Sequence, residues 1–330
     1  MSSTTSSLLS GLIPEGKHLQ TRIILAMQVR NKRRHELENP FWQFTAVQFS
    51  ALVVMPLDRL CMIADPDNGL SALFDGEGGD IRQLKRPCHR RMAEERDKCL
   101  SRDRRQCVVT SSTDPGCCHI MPGRFKQDRA GTRTVPQLRH SMAALFGDRS
   151  WLMYEYHDWD TVASTDRHWN MLTIDHELLD EGGRRFWALK YERMTTREDG
   201  KFLLEGRFFW LRRRNGSPLE EVDPLLDGPR FLRQLAGLHG SPGKGSQPLV
   251  SGRAFEVSLE TKREAEKMKS MMEFQWACAV IAAMSGAGRP EDMDPDIHQA
   301  KCARRRVIAW LKAVKAAGPE APREDNMAES

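Results

Sequence analysis

Apolar and polar positions predict strands most clearly between residues 166 and 214. Trp169 to Ile174 is a short, nearly continuous apolar run, which is typical of a buried strand. A short helical turn ended by Gly182-Gly183 is predicted after it, and the β-rich run FWALKYE follows at 186–192. The segment GKFLLEGRFFWLRRR, at 200–214, alternates enough to predict another strand whose aromatic side chains pack in the core.

A hairpin is predicted upstream, in the stretch CVVTSSTDPGCCHIMPGRF at 107–125. Its first strand would be CVVT, at 107–110, and its turn would be Asp114-Pro115-Gly116, because Pro and Gly favour tight turns. The second strand would carry Cys118-His119-Ile120. The hairpin therefore presents a histidine, His119.

Helical periodicity is found towards both ends of the chain. Amphipathic or apolar helices are predicted for Thr21 to Leu37, Leu138 to Tyr156, Glu256 to Ala287 and Asp296 to Ala317. The most hydrophobic run, Phe44 to Ile63, contains a proline and two charges near one end, which argues against a membrane span. It is predicted to be a buried strand followed by a turn.

These patterns divide the chain into six segments. They are a disordered lead-in at 1–17, an N-terminal flank at 18–95, a central domain at 96–214, a flexible linker at 215–252, a helical region at 253–317 and a disordered tail at 318–330. The fold class predicted is α+β, with helical flanks around the central unit.

Composition indicates a globular protein with locally concentrated positive charge. The 330 residues are 40% hydrophobic and 29% charged, with a net charge of +5. Between Ile81 and Gln106 there are ten Lys or Arg against four acids. Such a patch can hold phosphates, although RRMAEERDKCLSRDRR also offers opposite charges at helical spacing and can be an ordinary solvated helix surface.

The eight cysteines form no C-x-x-C pair, and the first residues lack the basic start of a secretory signal. We therefore expect reduced thiols in an intracellular protein, nuclear or cytoplasmic, and not a secreted one. Four of them, Cys99, Cys107, Cys117 and Cys118, cluster around the predicted hairpin. Burial as small apolar side chains is favoured for them over a structural zinc site, because their spacing fits no standard zinc knuckle.

An ordered series of motifs resembles the HNH endonuclease family, in the version common in fungal proteins. The series covers about residues 96 to 213, roughly a third of the chain. Its members are Cys107-Val108-Val109-Thr110, Cys118-His119-Ile120-Met121-Pro122, Trp169-Asn170-Met171-Leu172-Thr173-Ile174, Phe186-Trp187-Ala188-Leu189-Lys190 and Phe208-Phe209-Trp210.

The resemblance implies a ββα-metal unit, with one divalent ion bound between two strands and a helix. It assigns His119 as the general base that activates water, and Asn170 as the brace of the loop or a neighbour of the ion. A histidine on the helix would ligate the ion, which would stabilise the leaving oxygen as a Lewis acid. The expected reaction is hydrolysis of nucleic-acid phosphodiester bonds.

Two registers are possible for the helix histidine, and the gapless one is preferred because it also aligns Asn170 and the run Phe186-Trp187-Ala188-Leu189-Lys190. A gapless comparison with the family pattern places Leu179 there, and leucine cannot bind a metal. A three-residue deletion places His176 there instead, with Asp180 in the family's following acidic position. Cys118 occupies a place where relatives carry Asp or His as the first metal ligand. A site of Cys118, Asn170 and His176 suits Mg²⁺ poorly, since that ion prefers oxygen ligands.

Two functions follow from these alternatives. The first is a metal-dependent endonuclease, for which DNA is favoured over RNA as the expected substrate. The second is a catalytically weak HNH-fold protein that binds nucleic acid or a protein partner. Basic residues near the predicted hairpin are the expected phosphate contacts, namely Arg102, Arg104, Arg105, Arg124 and Lys126.

Overall fold

A computed structural model describes residues 17–65, 93–120, 167–176, 178, 186–211, 213–228 and 249–286. The described chain mixes helices with antiparallel strands, as predicted for the α+β class. The helices predicted at 138–156 and 296–317, together with Arg124, Lys126, Leu179 and Asp180, lie outside the described residues. So do the predicted lead-in, except its last residue, and the predicted tail.

Three helices form the N-terminal part. Helix α1 is Lys17–Glu36, which confirms the helix predicted from Thr21 to Leu37. Strand β1 is only Phe44–Thr45, and helices α2 (Ala46–Val54) and α3 (Leu57–Ala64) follow it. The strand predicted across 44–63 is therefore mostly wrong. The physical reason is a capping box, in which the Thr45 side chain accepts from Gln48 N while the Gln48 side chain accepts from Thr45 N.

A three-stranded antiparallel sheet and one long helix dominate the C-terminal part. Strands β4 (Phe186–Thr196), β5 (Phe202–Leu211) and β7 (Arg253–Leu259) lie in the order β4-β5-β7. Helix α5, Lys262–Ser285, packs on this sheet and on α2. The strands predicted at 186–192 and within 200–214 are confirmed.

The start of helix α5 differs from its prediction at Glu256. Residues 253–259 form β7 instead, because Phe255, Val257 and Leu259 alternate and all three are buried against the core. Helix α5 begins only after Thr261, whose side chain accepts from Glu264 N as an N-cap.

Part of the predicted flexible linker is folded. Strand β6, Glu221–Val222, pairs antiparallel with β1, and Asp223 forms an ion pair with Arg30 of α1. The linker prediction is therefore wrong for 215–228, and 229–248 lie outside the described residues. One hydrophobic cluster contains residues from Ala26 to Met284. The N-terminal flank, central segment and C-terminal region thus share a single core.

A small two-stranded sheet lies beside helix α4, Ala93–Arg102. Strand β2 is Pro115–His119, and it pairs antiparallel with β3, Met171–Asp175, with Cys117 opposite Thr173. The strands predicted around Cys118 and from Trp169 are thereby confirmed in position. Across the described ranges, no helix is long and apolar enough to cross a membrane.

The strand predicted at 107–110 is wrong, and so is the turn at 114–116, since Pro115 and Gly116 belong to β2. Local hydrogen bonds close 107–112 into a turn. Ser111 N donates to Cys107 O, Cys107 N donates to Ser112 O, and Thr110 N donates to Cys107 Sγ. Such short-range bonds compete with a strand ladder. The partner of β2 is consequently β3.

Candidate functional site

The structure brings His119 and Asn170 together at one end of the β2–β3 pair. His119 is the last residue of β2 and lies opposite Met171, the residue after Asn170. Ile120 N donates to Asn170 O at 2.8 Å, which closes this end of the pair. Asn170 is fully buried at the end of a 3₁₀ turn, His168–Asn170, whereas His119 is half-buried. The histidine is therefore the more accessible of the two.

His176 lies at the other end of β3. It follows Asp175 directly, and its side chain is exposed where the chain turns helical. Because a strand advances about 3.3 Å per residue, Met171 and Asp175 are separated by roughly 13 Å along β3. Thr110 Oγ1 donates to Asp175 Oδ2 at 3.2 Å, so this end is held to the 107–112 turn. His176 and Asn170 are thus at opposite ends of the strand.

Cys118 and His119 point to opposite faces of β2, since successive side chains alternate along a strand. Cys118 lies opposite Leu172 and belongs to the main hydrophobic core. Within the described ranges, no group of three or more His, Cys, Asp or Glu is placed to hold a metal ion. The candidate donors Cys118, Asn170 and His176 therefore do not fit one ion at the His119 end of the pair.

The outer edge of β3 is covered by side chains from the end of α4. The Arg102 guanidinium donates to the carbonyls of His168 and Met171, both at 2.8 Å. Asp103 Oδ2 accepts from Thr173 N at 3.0 Å, and Val108 N donates to Thr173 O. Polar side chains and a turn therefore take the place of a third strand on this edge.

Arg102 and Asp103 form a buried pair. Their side chains are 9% and 2% exposed, and two nitrogens of Arg102 donate to the two oxygens of Asp103 at 2.6 and 2.8 Å. Burial lowers the pKa of Arg102, but the charge and hydrogen bonds of Asp103 outweigh it and raise that pKa above its usual value. Arg102, predicted as a phosphate contact, thus has its guanidinium engaged inside the fold.

Arg104 and Arg105 differ from Arg102 in both exposure and backbone. Both are exposed, and both adopt the left-handed region, with φ of 56° and 54°. A non-glycine residue held there costs on the order of 1 kcal/mol or more. Ser111, in the same α4–β2 connection, has a φ of 63°. Backbone strain is therefore concentrated in the segment that joins α4 to the strand of His119.

A histidine and two carboxylates connect α4, the 3₁₀ turn and α5. His168 Nδ1 lies 2.7 Å from Glu95 Oε2, and its Nε2 lies 3.3 Å from Glu264 Oε1. The backbone N–H of His168 also donates to Glu95 Oε2, at 2.8 Å. Since an ionised carboxylate can only accept, Nδ1 carries the proton in this pair. The contacts fix the turn that ends at Asn170.

Glu95 is the buried carboxylate of this group, with 4% of its surface exposed. Burial alone raises its pKa, but hydrogen bonds from the backbone and ring of His168 and from Lys98 outweigh burial and lower the pKa to about 2. The folded state therefore holds the ionised form. Its contribution to stability is complete above 4.5, the ordinary pKa of a glutamate in the unfolded chain, and is lost as the pH falls towards about 2.

Glu95→Gln is expected to destabilise the protein by about 2–3 kcal/mol at neutral pH, because the variant keeps the shape but not the charge. The difference from wild type should shrink as the pH falls from 4.5 to about 2. Urea unfolding at a series of pH values measures it. Glu94→Gln is the matched control, since Glu94 is 82% exposed beside Glu95 on the same helix. A Glu95→Gln deficit that does not vary with pH in the acid range would contradict the assignment.

The four cysteines near the strands do not converge on one site. Cys99 and Cys117 lie together with Met171, whereas Cys107 and Cys118 belong to the main core. All four are buried, as predicted. A hydrogen bond with Cys117, together with burial, raises the pKa of the Cys99 thiol. These contacts favour packing over zinc binding for the group.

The sequence interpretation assigned no role in the site to Glu95, Asp103 or His168. Their contacts join positions 73 and 70 apart in the chain. The only local signal is the placement of both acids among arginines and lysines in 93–105, a pattern that is equally typical of helix surface charge.

The described residues thus define an α+β protein in which the end of a strand pair, braced by α4, brings the backbone of a half-buried histidine next to that of a buried asparagine. Comparisons of the chain with protein-family models, curated proteins and solved structures find no match.

Proposed function

We propose that the chain is a metal-dependent endonuclease of the HNH type, which hydrolyses nucleic-acid phosphodiester bonds and prefers DNA to RNA. The observation that carries the proposal is the register of β2 and β3, which places His119 opposite Met171 and beside Asn170. The chain then turns helical at His176. This order of strand, strand and helical turn agrees with the ββα unit that the motif series implies.

His119 would act as the general base. A histidine suits this role because an unperturbed imidazole, with a pKa of about 6.5, accepts a proton from water near neutral pH. The side chain is half-buried, so water and a phosphate can approach it while the backbone of β2 fixes its position. Asn170, fully buried, would stabilise the 3₁₀ turn His168–Asn170, which lies next to His119 at this end of the strand pair.

A divalent ion would supply Lewis-acid stabilisation of the charge that develops on the phosphate and the leaving oxygen. Asn170 and His176 lie at opposite ends of β3, and Cys118 faces the core. They do not form a common ligand set, so none of the steps above depends on them as ligands. The proposed metal dependence is therefore tested by measuring activity with and without metal ions, and it does not rest on the positions of these three residues.

The wild-type protein is expected to nick supercoiled plasmid in the presence of Mg²⁺, Mn²⁺ or Zn²⁺ and to lose this activity in EDTA. Single-stranded DNA and RNA, assayed in parallel, would define the substrate preference. Conversion of supercoiled to open-circular plasmid on agarose gels is the measurement. A folded, monodisperse protein that cleaves none of these substrates with any of the ions would contradict the proposal.

A second candidate is a binding module with the same strand pair and no hydrolytic activity. The observation that favours it is the separation of His176 from Asn170 along β3, together with the position of Cys118 on the core side of β2. DNA binding without cleavage, under conditions where a nuclease of known activity cleaves, would support this second function.

A further inference from the structure

Four successive residues at the end of α4 divide into a buried pair, Arg102 and Asp103, and an exposed pair, Arg104 and Arg105. Asp103 is the one acid of the segment SRDRRQ at 101–106, and Arg102 neutralises it inside the fold. The guanidinium groups of Arg104 and Arg105 form no hydrogen bond or ion pair with any described residue. Two positive charges are therefore presented to solvent without compensation from the segment that carries them.

The backbone holds this pair in place. Arg104 N donates to Ser101 O at 3.2 Å, and Arg105 N donates to Leu100 O at 2.7 Å. The carbonyl of the next residue, Gln106, lies 2.6 Å from the Thr173 hydroxyl, which joins the segment to β3. Ordering of the backbone lowers the entropic cost of binding a ligand through these side chains.

The left-handed conformation at both positions normally favours glycine. Arginine there costs stability relative to glycine, and neither side chain forms a hydrogen bond or ion pair with a described residue. The backbone conformation itself belongs to the end of α4, because the two N–H groups bond to Ser101 O and Leu100 O in the pattern of a Schellman cap. The fold therefore explains the backbone of the pair, while the two guanidinium groups are left for a ligand.

The position of the pair relates it to the proposed site. Thr173, to which the segment is attached, lies opposite Cys117, and Cys117 is two residues before His119. Two residues of a strand span roughly 7 Å.

We infer that Arg104 and Arg105 form a clamp for the phosphate backbone of nucleic acid and position it along β3 towards His119. The inference rests on the proposed function for its choice of ligand. Two guanidinium groups would each contact a phosphate, and recognition would be independent of base sequence because phosphates are the same at every step.

The test is a double variant, Arg104→Gly with Arg105→Gly, because glycine removes both the charge and the strain. We expect its melting temperature to rise by a few degrees, since glycine adopts the left-handed region without steric cost. We expect its dissociation constant for a labelled DNA duplex of two helical turns to rise by about tenfold or more. The slope of log affinity against log salt concentration should fall by about 1.8, for two phosphate contacts.

Fluorescence anisotropy in EDTA at increasing KCl concentrations measures binding without cleavage. Ser111→Gly is the matched control, because it relieves a left-handed residue in the same connection without removing a charge. It should raise the melting temperature and leave DNA binding unchanged. A second variant, Arg104→Lys with Arg105→Lys, retains the charges and should retain most of the salt dependence.

The outcomes distinguish this inference from the proposed function. If the double glycine variant binds DNA with the wild-type affinity and salt slope, the clamp is overturned, and plasmid cleavage by wild type still supports the nuclease. If the variant loses affinity while wild type binds but does not cleave, the clamp stands and the nuclease proposal fails. Weak binding of wild type to duplex DNA, single-stranded DNA and RNA alike, with tight binding to an acidic peptide, overturns the clamp as well.

Discussion

His119→Ala is expected to reduce the rate of plasmid cleavage by about 10²–10⁴-fold, the usual contribution of a positioned general base. The imidazole is half-buried at the end of β2, where its backbone register with Met171 does not depend on the side chain. The variant should therefore fold, and substrate binding should change far less than the rate. Single-turnover cleavage at saturating enzyme separates these two effects.

His35→Ala is the control for this substitution, because His35 is an exposed histidine in the last turn of α1. It should cleave at the wild-type rate. Circular dichroism melts of all three proteins establish that the fold is retained. Equal cleavage by wild type and His119→Ala would show that the activity comes from another site or from a contaminating enzyme.

Asp103→Ala is expected to destabilise the protein by about 3–5 kcal/mol, because it leaves the buried guanidinium of Arg102 without its counter-charge. Thr173 N would also lose its acceptor, Asp103 Oδ2. The damage should be concentrated at the outer edge of β3, where Arg102 and Asp103 replace a neighbouring strand. Urea unfolding gives the free energy, and hydrogen exchange of the Thr173 amide reports the local opening.

The double variant Arg102→Met with Asp103→Leu is the informative comparison. Removing both charges avoids an unpaired buried ion, so its loss should be much smaller than the sum of the two single losses. If the double variant is as unstable as the sum, the two residues act independently and the pair does not hold the edge. Asp103→Asn should fall between wild type and Asp103→Ala, since one oxygen acceptor is retained.

Local pattern was sufficient for several elements. Apolar alternation located β4 and β5, and the continuous run from Trp169 located β3. Two of the errors of element type, the strand predicted across 44–63 and the helix predicted from Glu256, could have been avoided from signals present in the sequence. Thr45-x-x-Gln48 and Thr261-x-x-Glu264 are both helix starts, and recognising them separates α2 from β1 and α5 from β7.

The contacts around the candidate site were beyond local reasoning. Sequence rules predict that an arginine in a charged helix such as this lies on the surface. Arg102 nevertheless donates to carbonyl groups that are 66 and 69 positions away in the chain. The opposite placement of Cys118 and His119 follows from strand alternation, but which face meets the core depends on the whole fold. The resemblance to HNH proteins named His119 and Asn170 as site residues. The register of β2 and β3, which brings their backbones together, required the three-dimensional structure.

The pairing of β1 with β6 has a consequence for the order in which the chain acquires its structure. Arg30 and Asp223, which lie beside this pairing, are 193 positions apart, and α2 also packs on α5 near the end of the described chain. A nascent chain emerges from the ribosome amino terminus first, so α2 appears long before α5. The face of α2 that packs on α5 remains uncovered until α5 is synthesised. We therefore expect folding of this core to be completed only after α5 has been translated.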